Sequence, residues 1–270
     1  MATVLAAVDA SPVAPEVMRA AVVFAGLLQA SPTALHVGTG TVAGLEVAAS
    51  SAGLRLDVLD GDPADVIARA MAGAEVALGV IGATGAGSCE RPMGRIATAL
   101  MSSVQRPLVV VPVGSFPPGR RSLRRALLPL DGGPESTAAV EPATELLGGA
   151  GVDLVVLHVI DVSSVPVFWD HGSHSAGAWR GEFLAEHLRG RRLRLELRRG
   201  DPGQVIAAAA AAENAELVVM GWSRDLSPGH ALTVQHTIER LCLPVLLFPV
   251  HSALSPAAYR EHWRVPADRG

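Results

Sequence analysis

Val76-Ala77-Leu78-Gly79-Val80-Ile81 is an uninterrupted apolar run that stops at Gly82, and a glycine-rich stretch then leads to Gly94 and Arg95. Gly82, Gly85, Gly87 and Gly94 punctuate that stretch, and Arg95-Ile96-Ala97-Thr98-Ala99-Leu100 reads as the start of a helix. A buried strand, a loop with glycines and a helix N-terminus together make an anion pocket. Glycine tolerates positive φ, so loop amides can turn inward, and the helix dipole adds partial positive charge. Two readings fit this stretch: a phosphate cradle, or a glycine-rich turn between strand and helix that binds nothing.

Outward from there, strands alternate with helices. Val4–Val8 is a short apolar strand that ends in Asp9-Ala10-Ser11-Pro12, and Ala14–Gln29 follows with helical spacing of Val17, Ala21, Phe24 and Leu28. Ala34–Val37 is a second strand. Leu54–Leu59 alternates apolar with polar residues, as on a half-exposed strand. Asp62 caps and Pro63 opens the helix that runs to Met71, and Leu108–Val113 is the fifth strand after a helix to about Val104. Gly38–Gly44 imitates a dinucleotide fingerprint but follows the wrong strand with the wrong spacing, so it reads as a connecting loop.

The order then restarts. Asp131 lies 122 positions after Asp9, and His158 lies 122 after His36. Gly200-Asp201-Pro202 repeats Gly61-Asp62-Pro63 at 139, Gly221 repeats Gly82 at 139, and Pro244–Pro249 repeats Pro107–Pro112 at 137. That period suits a duplicated domain rather than a solenoid. The expected units are 1–118 with a candidate nucleotide site and 122–250, followed by a tail over 251–270; Pro117-Pro118-Gly119 breaks the linker. Alternation of this kind predicts parallel, doubly wound α/β sheets, with ligands beyond the strand carboxyl ends. Leu108–Val113 should pair antiparallel with Val245–Val250 and join the two sheets about an internal two-fold axis.

Composition narrows the chemistry. The 270 residues are 49% apolar and only 4% aromatic, which calls for a core of Ala, Val and Leu. The net charge of −4 gives no reason to expect nucleic acid or an anionic membrane as partner. The 22 basic residues are all arginine, so no Walker A or Schiff-base lysine exists. Cys89 and Cys242 offer neither zinc spacing nor a disulfide framework, which suits a reducing compartment; Cys89 is a candidate oxidisable thiol and Cys242 reads as buried packing. With neither a leader nor a long apolar run, the expected location is the cytoplasm.

At this point the chain resembles the universal stress protein family, over nearly its whole length and twice. The residues that carry the resemblance are Ala7-Val8-Asp9-Ala10-Ser11, Leu35-His36-Val37, Gly61-Asp62-Pro63, Val80-Ile81-Gly82 with Gly85, Gly94, and Arg106–Pro112. The second half supplies Asp131, His158, Gly200-Asp201-Pro202, Val218–Gly221 and Leu243-Pro244-Val245. The resemblance implies two tandem flavodoxin-like units (of the adenine nucleotide alpha hydrolase type), each a five-stranded parallel sheet of order 3-2-1-4-5 with helices on both faces. It also implies ATP, with or without magnesium, as ligand of a non-catalytic stress-response regulator that forms an intramolecular pseudo-dimer. Carried over by position, Asp9 and Ser11 would serve the ribose or adenine end, Ala7, Val8 and Val37 would line the base, and Gly82, Gly85, Gly87, Gly94 and Arg95 would serve the phosphates. Eight residues rather than nine separate Gly85 from Gly94, and Arg95 stands where the family has Ser or Thr. In the second half Arg224 replaces the second glycine and Ala231-Leu232 replace Gly94-Arg95, so that site is expected to be degenerate. Unknown protein partners and a homodimer are further expectations, and a nucleotide-free interaction scaffold of the same fold is the alternative.

The remaining candidates are weaker. Asp170, His171 and His174 lie in an inserted loop, 163–177, that reads as a solvated connection rather than a metal site. His36 and His158 sit in apolar strands as core histidines with satisfied ring nitrogens. Arg192, Arg194 and Arg198 alternate with Leu193, Leu195 and Leu197, as on a charged edge strand that resists edge-to-edge pairing. No Gly-x-Ser-x-Gly elbow exists for a nucleophilic triad.

Overall fold

The computed structural model describes residues 1–39, 42–84, 92–131, 133–160, 193–226 and 232–250. In the first half these form β1 (Thr3–Ala7), α1 (Ala14–Leu28), β2 (Ser31–Val37), α2 (Ala43–Ser51), β3 (Arg55–Leu59), α3 (Pro63–Met71), β4 (Val76–Gly82), α4 (Arg95–Ser103) and β5 (Leu108–Val111). The second half contributes β6 (Arg125–Pro129), α5 (Pro134–Gly149), β7 (Asp153–Ile160), β8 (Arg194–Arg199), α6 (Pro202–Ala212), β9 (Leu217–Trp222), α7 (Leu232–Arg240) and β10 (Val245–Pro249).

The strands join into one ten-stranded sheet, β3-β2-β1-β4-β5-β10-β9-β6-β7-β8. Counted inward from either edge, each half has the order 3-2-1-4-5, with parallel neighbours throughout. At the centre β5 meets β10 antiparallel, with Val110 opposite Val245, Val109 opposite Leu246 and Leu108 opposite Leu247. The expected seam is therefore present, although β5 ends at Val111, two residues short of the apolar run.

Side chains alternate between two layers, as the pleat requires. Val4, Ala6, Leu246 and Phe248 face α1, α2 and α5, whereas Leu5, Val245 and Leu247 face α3, α4, α6 and α7. Both layers run across the seam, so the two halves share their cores. Asp62 Oδ1 accepts from the Ala64 and Asp65 amides at 3.0 and 3.3 Å. Asp201 caps α6 in the same way, through the Gln204 amide at 3.0 Å. A cap of this kind is worth about 1 kcal/mol, and both were legible as Gly-Asp-Pro.

Two features go beyond the sequence reading. The segment after β2 carries a nine-residue helix, α2, to which that reading assigns no range; its Ala- and Ser-rich sequence buries just Leu45 and Ala49, too few for a periodic signal. The Pro-rich connection between the halves is docked rather than a free linker. Glu16 accepts from the Gly114 and Phe116 amides at 2.9 and 2.8 Å, and Arg19 donates twice to the Phe116 carbonyl. The Phe116 ring is fully buried. On its far side the connection is gripped by Glu216, which pairs with Arg124 at 3.0 Å and lies 3.9 Å from Arg120. The charged strand β8 lies at the sheet edge, as expected.

Candidate functional site

At the carboxyl ends of β1 and β4 the first half opens a cleft of about 300 Å³. Of the residues singled out by sequence, Ala7, Val8, Asp9, Val37, Gly82, Gly94 and Arg95 all line it. Ser11 does not line it but orients Asp9: the Ser11 amide donates to Asp9 Oδ1 at 3.1 Å, and its hydroxyl donates to the same oxygen. Among the described residues Asp9 Oδ2 has no partner. Gly85, Gly87 and Cys89 lie outside the described residues.

The polarity of the cleft follows from its walls. Val37, Ile67 and Ile81 make one end apolar. Val8 adds its main chain: its amide donates to the Leu35 carbonyl at 2.9 Å, and its carbonyl accepts from His36 Nδ1 at 2.9 Å. A carbonyl can only accept, so His36 carries its proton on Nδ1. His158 makes the matching bond to the Leu130 carbonyl at 2.9 Å. Both histidines thus brace the strand ends, half-buried there rather than set in the core.

The other end is electropositive. Gly94 is the N-cap of α4 and offers no capping side chain, and the first turn of the helix holds no acidic residue. The first-turn amides and the exposed Arg95 guanidinium therefore present positive charge to the cleft. An arginine can grip phosphate through two parallel N–H donors.

The structure corrects the reason for the glycines. Gly94 has φ −65°, and Gly82 is not among the glycines with positive φ. A β-carbon on Gly82 would lie 2.8 Å from Val13 Cγ1, so its bareness lets α1 pack beneath the cleft. Gly94 donates its amide to the Ala83 carbonyl at 2.8 Å, and a β-carbon there would lie 3.4 Å from that oxygen. Both glycines build the floor and the hinge of the cleft by close approach of chain to chain.

The second half has a cleft in the matching place, and at about 530 Å³ it is the larger. Asp131 takes the place of Asp9, with Oδ1 accepting from the Gly133 amide at 2.8 Å and from the Ser136 hydroxyl. Arg224, in the place of the second glycine, keeps a left-handed backbone at φ 66°. A left-handed backbone at a non-glycine residue costs about 1–2 kcal/mol. Substitution has changed the chemistry of this cleft and has not filled it. Trp222 forms one wall and donates Nε1–H to the Met101 carbonyl at the end of α4, 2.9 Å across the seam.

Cys242 is exposed and disulfide-bonded, which corrects its reading as buried packing and removes the support that cysteine usage lent to a reducing compartment. The 163–177 loop and the tail, 251–270, lie outside the described residues. No described helix is long and apolar enough to cross a membrane. The signal that sequence reading missed was Trp222, which stands directly after Gly221 and reads there as an ordinary end-of-strand residue.

Comparison with known proteins places this architecture. The universal stress protein family model matches residues 122–241. A universal stress protein from Mycolicibacterium smegmatis is 32% identical over 150 residues, 53% of this chain and 50% of that protein, so the chain spans about half the length of that relative. A universal stress protein from Archaeoglobus fulgidus superposes with a TM-score of 0.67 at 18% identity, over 92% of this chain and 96% of that one. A functionally unknown protein from Pseudomonas aeruginosa PAO1 superposes with a TM-score of 0.66 at 16% identity, over 97% and 95%. At such identities the likeness establishes the fold alone. Residues 122–241 thus match the universal stress protein family, and the same strand order is repeated on the other side of the seam.

Proposed function

We propose that this protein is a stress-response regulator whose first cleft holds an adenine nucleotide, with ATP and its magnesium as the expected form, and that it performs no chemistry on it. In this reading residues 1–118 form the nucleotide-binding unit and 122–250 its pseudo-dimeric partner, working in the cytoplasm. One observation carries the reading: a single cleft sets the Asp9 carboxylate apart from a positive end made of Arg95 and the uncapped start of α4. Phosphates would sit at the helix N-terminus. Ribose hydroxyls would donate to Asp9 Oδ2, and the base would lie against Val37, Ile67 and the Val8 main chain.

Calorimetric titration of MgATP into the full chain tests this. Saturable heat is expected, and Arg95→Ala should weaken it roughly tenfold to a hundredfold, as loss of a charge-assisted bond does. No saturable heat at millimolar MgATP would overturn the proposal in favour of a nucleotide-free scaffold. Gly82→Val is a poor test, because the new side chain would strike Val13 and disturb α1 whatever the ligand.

A further inference from the structure

We infer that the edge strand β3 pairs with β3 of a second copy of this chain, antiparallel about a two-fold axis, so that two ten-stranded sheets run on as one. Among the described residues β3 is bonded to β2 alone. Of the exposed large apolar residues that are described, only Val58 and Leu59 lie on a strand, at 43% and 46% exposure, and both belong to β3. The opposite edge, β8, carries three arginines and one glutamate, so two copies of it would gather excess positive charge. β3 carries one arginine and one aspartate, and its net charge is zero.

The direction of the backbone groups limits how two such strands can meet. The Gly38 amide donates to the Leu59 carbonyl at 3.0 Å, so Leu59 turns its polar backbone towards β2. Successive residues of a strand alternate, so Asp57 and Arg55 do the same, while Leu56 and Val58 turn N–H and C=O to the open edge. Residues that exchange both bonds across an antiparallel pair must be outward-turned ones. Leu56 and Val58 therefore allow three two-fold registers. Val58 opposite the partner's Leu56 sets Asp57 against the partner's Asp57, and like charges directly opposite repel. Val58 opposite the partner's Val58 sets Asp57 against the partner's Leu59, with no charge to answer it. Leu56 opposite the partner's Leu56 sets Arg55 against the partner's Asp57, once on each side of the axis, and brings Val58 opposite the partner's Leu54. Arg55 and Asp57 are 75% and 42% exposed and already bridge one another at 2.9 Å. In this last register a second copy completes a square of four alternating charges, so charge selects it. Five residues per strand make a small contact, and the association should be weak and reversible. It does not depend on what either cleft binds.

Sedimentation of the full chain from micromolar to millimolar concentration tests the inference. A reversible monomer–dimer equilibrium is expected, weakened by added salt. Val58→Pro removes an outward N–H, leaves the ladder to β2 intact, and should weaken the dimer about tenfold. Arg55→Asp and Asp57→Arg should each weaken it as much, because like charges would then face across the axis. Mixed in equal amounts, those two variants should associate as tightly as the parent chain, a recovery that misfolded protein would not show. A parent chain that stays monomeric at millimolar concentration would overturn the inference. So would an unchanged dimer in Val58→Pro, a mixture of the two folded charge variants that fails to associate, or assemblies that grow beyond the dimer.

Discussion

The two clefts share one scaffold and part of their lining, and differ at a few positions that a ligand would touch. Each lies beyond the first and fourth strands of a 3-2-1-4-5 half, and each has an aspartate whose Oδ1 is held by a serine hydroxyl and a backbone amide. Each also has a histidine bonded to the carbonyl that ends its first strand. The first cleft is the smaller and ends in Arg95 and an uncapped helix start; the second is larger and adds Glu135 and the Trp222 wall. Asp9, Val37, Pro63, Ile67 and Gly82 keep their residue types as Asp131, Val159, Pro202, Ile206 and Gly221, while the linings beyond the fourth strand and at the following helix have diverged.

The comparison breaks if the halves are not energetically one body, and Phe116→Ala tests that first. Phe116 is fully buried in the core layer that crosses the seam. Its truncation should cost about 3–5 kcal/mol and should lower a single unfolding transition seen alike by probes in both halves. Two separate transitions, with only one shifted, would show that the halves fold apart.

Next in size is the carboxylate that grips the connection from the second half. Glu216 has a side chain only 12% exposed. Burial works against its charge, but the amide and guanidinium of Arg124 and the positive charge of Arg120 outweigh it and hold its pKa below the ordinary carboxylate value. Its contribution to stability is therefore fully present above the ordinary carboxylate pKa and is lost as pH falls through the lower, folded value. Chemical denaturation across acidic pH should show that loss. Glu216→Gln should remove this part of the pH dependence and cost about 1–3 kcal/mol at neutral pH. An unchanged acid limb in the variant would assign the connection to Glu16 and Arg19 alone.

The smallest expected effect sharpens the contrast between the loops. Arg224→Gly removes a left-handed, non-glycine residue and restores the residue type found in the first half. It should raise stability by roughly 0.5–1 kcal/mol after the entropic cost of glycine. Calorimetry on the same variant should show no gain in MgATP binding by the second cleft, because no arginine is among its described lining residues. Tight binding there would mean that the loop glycine, and not the charge of the lining, selects the ligand.

Much of the fold was legible because its signals are local. Val76–Ile81 is buried along its whole length, so it reads as one apolar run, and Gly-Asp-Pro announces two helices because a carboxylate cap and a proline act within one turn. Leu108–Val111 and Val245–Pro249 paired as expected, since two apolar strands at equivalent ends of a duplicated unit must cover one another's edges. Helix α2 was illegible because only Leu45 and Ala49 of it are buried. The docking of residues 114–116 was equally hidden, because Glu16 and Arg19 sit about a hundred residues away and look like ordinary surface charges on α1. At the site, Asp9, Gly82 and Arg95 line one cleft, but Gly82 is glycine because Val13 packs against it rather than because its backbone needs positive φ.

Backbone hydrogen bonding and burial periodicity act over a few residues, so the amino-acid order by itself determined the strands, most of the helices, the repeated strand order and the strand ends at which the clefts open. What each cavity can hold depends on side chains that meet only after distant segments pack. Tertiary structure alone decided that Val13 fills the space beside Gly82, that the second cleft stays open, and that Trp222 faces it while bonded to Met101 of the other half.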